Sequence, residues 1–312
     1  MNRPHIACVV VTYNRKHLLK RCLDAICTQT FKPTSVYITD NASTDGTLDS
    51  VKEWGFYNCS RDGIKYKYIL NSKNEGGAGG FYLGMKTAFE EGIDGVWVMD
   101  DDGVPNTDCL WQLQRLLSKR DYIAPIVLSD EDHESCSFTE KHESYAEFKQ
   151  KAVDGLVENW ASPFNGILYS SSLIHKIGLP NKEMFIWGDE TNYHYRALNQ
   201  GIIPVTVVNA IHYHPLNKQT FIYYKGLGSV LEIETGWKIY CYLRNATYNT
   251  IYYDKSISKI HRFFRASRLM VTYLWHFSKK CEFTKIEMVM RAYLSGIFRN
   301  FVDISALMEK YK

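Results

Sequence analysis

Three consecutive aspartates, Asp100-Asp101-Asp102, end the apolar run Gly95-Val96-Trp97-Val98-Met99. Adjacent carboxylates repel one another, so such a run is costly unless a cation neutralises it. A hard divalent ion with oxygen ligands is the natural partner, and diphosphate oxygens can complete its coordination. The plainer alternative is a solvated acidic turn. A second acidic pair, Asp189-Glu190, follows Phe185-Ile186-Trp187-Gly188 and precedes a helix expected from Thr191 to Asn199. Acids are favoured at helix N-termini without any further role. Given one, either carboxylate can act as a general base on an acceptor hydroxyl, with Trp187 as a platform for a sugar face. Two histidines, His212 and His214, follow a strand-like run from Ile203 to Val208. Read as an extended pair facing opposite ways, at most one reaches a site, where an imidazole can join carboxylates around manganese. The other reading of either is an ordinary structural histidine.

These residues need a frame that brings strand ends together. Ile6 to Val11 is a β-branched run with no polar alternation, as expected of a strand buried on both faces. Helical spacing of Leu18, Leu19, Cys22, Leu23 and Ile26 follows it. Further strands are expected at Ser35–Thr39, Tyr66–Leu70 and Gly95–Met99, with helices through Thr47–Trp54 and around Phe81–Glu91. Strands alternating with helices predict βαβ units and a mostly parallel sheet flanked by helices, an α/β fold. In such sheets ligands bind at the carboxyl ends of the strands. The turns after the first, second and fourth strands and the glycine-rich Asn74-Glu75-Gly76-Gly77-Ala78-Gly79-Gly80 all fall at that edge. This segment is neither a Walker loop nor GxGxxG, so a P-loop kinase or GTPase is not supported. Its small residues permit close backbone approach to a ligand. Residues 130 to 158 are polar and read as a surface excursion.

The chain has 312 residues, 45% apolar and 23% charged, an ordinary composition for a folded protein. Its net charge of +3 hides an asymmetry: from Lys255 onward there are twelve Lys/Arg against four Asp/Glu, and the preceding body is acidic. Eight cysteines without CxxC or zinc spacing, and no N-terminal signal peptide, read as reduced thiols in a cytoplasmic protein. Nothing approaches the roughly 18 apolar residues of a membrane span. The acidic body and the lack of any motif argue against nucleic-acid binding.

Taken together, residues 5 to 215 resemble the inverting family 2 glycosyltransferases of the GT-A fold. The strand ending Val11-Thr12-Tyr13-Asn14-Arg15 and the turn Asp40-Asn41-Ala42-Ser43-Thr44-Asp45-Gly46-Thr47 look like that family's two nucleotide-binding segments. The resemblance implies that Asp40 meets uracil or ribose and that Thr12, Tyr13, Asn14 and Arg15 wrap the nucleoside. It places the triple aspartate at the DxD position, Asp102 on the metal and Asp100 and Asp101 on metal or ribose. It also implies Mn2+ or Mg2+ as cofactor. A narrower likeness is to bacterial galactofuranosyltransferases, carried by Asn74 to Phe81 (with Gly76 and Gly77), Met99 to Gly103, Trp160-Ala161-Ser162-Pro163-Phe164-Asn165-Gly166 and Phe185 to Glu190. In that register His214, eighteen residues after Arg196, is the metal ligand and His212 its structural neighbour. Glu190 is the base, with Asp189 the close second, and Trp160, Asn165, Gly166 and Trp187 form an acceptor or sugar platform.

The expected organisation is a GT-A domain over 1–240 and a basic, aromatic-rich helical extension over 241–312. In the extension Phe263, Phe264, Leu269, Tyr273, Leu274, Trp275 and Phe277 mix with Arg262, Arg265, Arg268, Lys279 and Lys280. That pattern suits either a helix on an anionic membrane surface or a cap packed on the domain or at an oligomer interface. The resemblance implies UDP-galactofuranose as donor and a glycan or lipid-linked acceptor, in cell-surface polysaccharide synthesis at the inner face of the cytoplasmic membrane. The alternatives are a rhamnosyltransferase using dTDP-rhamnose, a transferase of another UDP-hexose, and a non-catalytic nucleotide-sugar-binding module.

Overall fold

The computed structural model describes residues 3–139, 143–162, 164–216, 219–233 and 235–311. Pro163 of the Trp160–Gly166 segment lies outside them. The chain forms two compact units, residues 1–180 with 200–217, and residues 181–199 with 218–312. The boundary expected at 240/241 falls within the second unit, inside one of its helices.

The first unit alternates β1 (Ile6–Thr12), α1 (Lys16–Cys27), β2 (Ser35–Asp40), α2 (Thr47–Glu53), β3 (Ser60–Arg61), β4 (Ile64–Leu70), α3 (Gly76–Glu90) and β5 (Gly95–Asp100). After these come β6 (Val104–Pro105), α4 (Cys109–Gln114), β7 (Tyr122–Ser129), α5 (Tyr145–Gln150), β8 (Leu156–Glu158), β9 (Ile167–Ser170), α6 (Ser171–Ile177) and β10 (Val205–His214). All seven residues of β1 are buried, as its unbroken apolar run requires of a central strand. The sheet order is β3-β4-β2-β1-β5-β9-β7-β10-β6, with β8 also on β10. β4, β2, β1 and β5 are mutually parallel, whereas β9 runs antiparallel between β5 and β7. Registers Thr12↔Asp40, Asp40↔Leu70 and Val11↔Asp100 bring the carboxyl ends of the four parallel strands level.

The glycine-rich segment is not a loop ahead of a helix: α3 begins at Gly76 itself. Its glycines let the helix press onto the sheet. A Cβ at Gly80 would lie 2.5 Å from Val11 Cγ1, and one at Gly84 2.4 Å from Val9 Cγ1. The polar stretch 130–158 is likewise more than a surface excursion. Cys136, Phe148 and Val157 form a small core there with Ile126, Leu128 and Val208. These apolar positions are too isolated in the sequence to register as a periodic element.

The second unit holds a 3-10 turn at Lys182–Met184, α7 (Asp189–Leu198), the hairpin β11 (Phe221–Tyr224) and β12 (Gly228–Leu231), then α8 (Gly236–Tyr252), α9 (Lys259–Lys279), α10 (Phe283–Ile297) and α11 (Ile304–Lys310). α8, α9 and α10 pack on one another around Tyr240, Leu243, Tyr273, Phe277, Met288 and Ala292.

Candidate active site

The acidic run leaves the sheet as a tight turn that is pinned twice. The Asp101 N–H donates to the Val11 carbonyl, continuing the β1–β5 ladder by one bond. Immediately beyond, Val104–Pro105 pairs antiparallel with β10, Pro105 opposite His212 and Val104 opposite Tyr213. The turn between these anchors therefore lies along the histidine strand, which is how two sequence-distant motifs meet.

His214 Nε2 stands 3.2 Å from Asp102 Oδ1, and His214 Nδ1 is 2.8 Å from the Pro215 carbonyl. That carbonyl can only accept, so Nδ1 carries the proton and Nε2 is turned to the carboxylate. The Asp102 contact lacks the alignment of a hydrogen bond, leaving Oδ1 a buried oxygen without a donor. Burial disfavours the imidazolium, but the facing Asp102 outweighs it and raises His214 above its usual value. Against its own burial, Asp102 is lowered by the same pairing and by Arg15.

Alternate residues of a strand share a face, so both histidines turn toward the acidic turn, correcting the expectation that they face opposite ways. Only His214 reaches a carboxylate. His212 is fully buried, and Cβ atoms at Gly103 and Gly166 would come within 2.4 Å of its Nε2 and 2.7 Å of its Nδ1. Burial pushes its pKa down to about 3, so it packs as a neutral ring. It joins the Asn165-Gly166 segment to the acidic turn, and Gly166 also accepts from Trp97 Nε1 at 2.8 Å.

Of the other two aspartates, Asp101 is buried and Asp100 half-buried. Asp101, 2% exposed, accepts from Thr12 Oγ1 at 2.6 Å; burial raises its pKa to about 6 despite that bond and Arg15. Asp100 is pushed up to about 8, first by burial and then by the charges of Asp102 and Asp101. Arg15 Nη1 lies 3.0 Å from Asp102 Oδ2 and 3.4 Å from Asp101 Oδ1. It is thus a counter-charge to the acidic run as well as a member of the β1 ending.

The two expected nucleotide segments are latched together. Asn14, in the left-handed region at φ 53°, accepts the Thr44 N–H at 2.7 Å, and its own N–H donates to Ser43 Oγ at 2.8 Å. Tyr13 remains exposed beside it. Asp40 is fully buried, and its oxygens accept from the Ser43 N–H and the Tyr68 hydroxyl. Asn41 donates to the Gly76 carbonyl and accepts from Asn71, tying β2, β4 and the start of α3 together. Asn74 accepts the Gly76 N–H at 2.8 Å, and nothing lies within 4 Å of a Cβ at Gly77. Asn41, Tyr68 and Asn71 were not singled out by sequence; the available signal was an asparagine as the first residue after each of two parallel strands. Trp160, expected on an acceptor or sugar platform, packs edge-on against Phe148, ring centroids 4.7 Å apart.

Trp187, Asp189 and Glu190 belong to the second unit. The segment leading to them is contorted: Phe185, Trp187 and Gly188 have φ of 68°, 55° and 103°. α8 holds it there. Asn245 Nδ2 lies 3.0, 3.0 and 2.7 Å from the carbonyls of Met184, Ile186 and Trp187, Arg244 Nη2 donates to Met184 at 2.7 Å, and Asn249 Nδ2 to Gly188 at 2.7 Å. Asp189 is buried in the first turn of α7, while both Glu190 oxygens accept the Gly188 N–H at 3.0 and 2.9 Å.

A mostly parallel sheet with an acidic turn, a histidine and a latched loop pair at its carboxyl edge is the arrangement expected of a GT-A fold. The solved structure of a Pyrobaculum calidifontis mannosyltransferase, in complex with GDP-Man and Mn2+, superposes with a TM-score of 0.55 at 16% identity, over 99% of this chain and 79% of that one. S. aureus TarS, in complex with UDP-GlcNAc, gives 0.54 at 15% identity, over 93% and 81%. The family model described as glycosyl transferase family 2 matches residues 7–175. The chain belongs to this family and is a glycosyltransferase. It is also 33% identical over 222 residues to the galactofuranosyltransferase GlfT1 of Mycobacterium tuberculosis, covering 68% of this chain and 71% of that protein.

Proposed function

We propose that the protein is an inverting galactofuranosyltransferase that uses UDP-galactofuranose and a divalent cation to extend a glycan or lipid-linked acceptor in bacterial cell-surface polysaccharide synthesis, at the inner face of the cytoplasmic membrane. The observation that carries the donor is the 33% identity to a galactofuranosyltransferase over two thirds of the chain.

The cation reading has its own physical support. Among the described residues no group of three or more His, Cys, Asp and Glu is arranged to hold a metal. What is present fits an ion that takes part of its coordination from the substrate, as Mg2+ and Mn2+ do beside phosphates. An octahedral ion with bonds of about 2.1 Å sets adjacent ligands about 3 Å apart, and Asp102 Oδ1, without a hydrogen-bond donor, faces His214 Nε2 at 3.2 Å. These two residues would hold the ion, with Asp100 as the further carboxylate. Bound there, a divalent cation neutralises charge on a departing diphosphate. The Pro215 carbonyl fixes the histidine tautomer that leaves Nε2 free to ligate.

The remaining roles follow from this chain's own groups. Gly76, whose N–H is taken by Asn74, and Gly77 open the first turn of α3, and a helix N-terminus favours a phosphate. Thr12 to Arg15, Asp40 at the end of β2 and the turn that follows it form the nucleoside wall. Glu190 takes the acceptor proton, Asp189 being the second candidate, and one-step displacement inverts the sugar carbon. Trp160, Asn165 and Gly166 of the first unit and Trp187 of the second are assigned to sugar or acceptor contact.

Release of the nucleoside diphosphate (UDP or dTDP) from a panel of nucleotide sugars, in Mn2+ or Mg2+ and in EDTA, tests the reading. Cation-dependent turnover of UDP-galactofuranose alone is the expected result. Turnover only of dTDP-rhamnose would replace the donor and leave the chemistry intact, and no turnover of any donor would favour a binding module.

A further inference from the structure

On α9, Ile260, Phe264, Val271 and Trp275 recur at intervals of four, seven and four residues, which sets them on one helical face. The opposite face buries Ala266, Tyr273 and Phe277 inside the second unit. Soluble helices turn their polar face to water; here the outward face is aliphatic and aromatic, with Ile260 68% and Phe264 65% exposed. α10, packed beside α9, repeats the arrangement with Phe283, Met290, Leu294 and, at its C-cap, Phe298, which is 73% exposed. Two helices packed side by side thus each carry an exposed apolar face.

The charge around it selects the partner. Arg268, Lys279, Lys280, Arg291 and Arg299 are all exposed on or next to these helices. The acids of the same stretch are already engaged, Glu282 by Lys285 and Glu287 by Lys310. A second copy would bring the same cationic rim against itself, whereas anionic headgroups would complement it. The Lys279 ammonium lies 5.1 Å over the Trp275 ring, the joint aromatic and cationic presentation that suits a headgroup boundary. No helix among the described residues is long and apolar enough to cross a membrane.

We propose that the outward faces of α9 and α10 dock the protein on a bilayer rich in anionic phospholipid, with Phe264, Trp275, Phe283 and Phe298 entering the headgroup–acyl boundary. This deepens the membrane-face location proposed above, and its readout is binding, so it can fail while turnover of the nucleotide sugar survives, and the reverse.

The test is flotation of the full chain with phosphatidylcholine vesicles, with and without phosphatidylglycerol. Wild type should float only with the anionic vesicles and be released as salt rises toward 1 M. Phe264→Ser combined with Trp275→Ser, both at exposed positions, should weaken partitioning roughly tenfold or more. Lys279→Gln with Lys280→Gln should weaken it roughly fivefold per cation removed. Light scattering on the same proteins reads self-association. Absence of flotation, flotation undiminished in both variants, or a wild-type dimer that the Phe264/Trp275 variant dissociates without any vesicle binding would each overturn the proposal.

Discussion

Replacing Asp101 by Asn measures how much stability the acidic turn gives up in order to be charged. Asp101 is almost fully buried, and its pKa is raised from the ordinary value to about 6. The folded state therefore holds this proton more tightly than the unfolded chain, whose aspartates titrate near 3.9. The stabilisation is complete below about pH 4 and is lost as pH rises through about 6. Two pH units correspond to about 3 kcal/mol, or roughly 6–12 °C in the melting temperature of a unit this size. Asn is neutral at every pH, and its amide oxygen can still accept from Thr12, so Asp101→Asn should flatten this part of the profile. The assay is a series of thermal scans in EDTA from pH 4 to 8. The informative quantity is the change of melting temperature with pH, because a constant offset from the amide facing Arg15 cancels. Expected is a wild-type melting temperature that declines across pH 4–6 relative to the variant's, with the difference shrinking when Mn2+ is added at pH 7.5. Parallel profiles would refute the argument, since the Asp101 charge would then cost the fold nothing.

Asp102→Ala and His214→Ala should each lower cation-dependent turnover by about 10²-fold or more while leaving the melting temperature within a few degrees; full turnover in either removes that residue from the cation site. Asn245→Ala withdraws the amide that three backbone carbonyls share and should cost about 2–4 kcal/mol in chemical denaturation. If the clamp also positions Glu190, kcat should fall more than KM for the donor rises; a stability loss with unchanged kcat would confine Asn245 to a structural role.

The sheet was legible because its central parallel strands β1 and β5 are written as apolar runs that end in polar turns. Ile6–Thr12 and Gly95–Asp100 needed little beyond that pattern. The level edge could be expected from topology, and the structure brings the acidic turn to a histidine. What sequence could not supply were relations fixed by packing. The role of Val104–Pro105 is invisible at two residues, yet it sets Asp102 beside His214. Glycines 76 to 80 suggested a ligand loop because small residues serve close approach to a ligand and to a sheet equally well, and the sheet takes Gly80. The contact of Trp160 with Phe148 was equally out of reach, because the partner of an aromatic ring is set by packing and not by its position in the chain.

The clamp on Phe185–Gly188 bears on how this enzyme can be taken apart. Asn245 and Asn249 are 58 to 61 positions downstream of the backbone they hold, on a helix that starts at Gly236. A shortened gene that stops at residue 240 would keep every motif by which the family is recognised, including Asp189 and Glu190. It would nonetheless release the three left-handed residues that aim them. Grafting the C-terminal helices of a relative would succeed only if the graft carries its own amides to those carbonyls. The extension is therefore a working part of the proposed base, inherited with it, and not an interchangeable anchor.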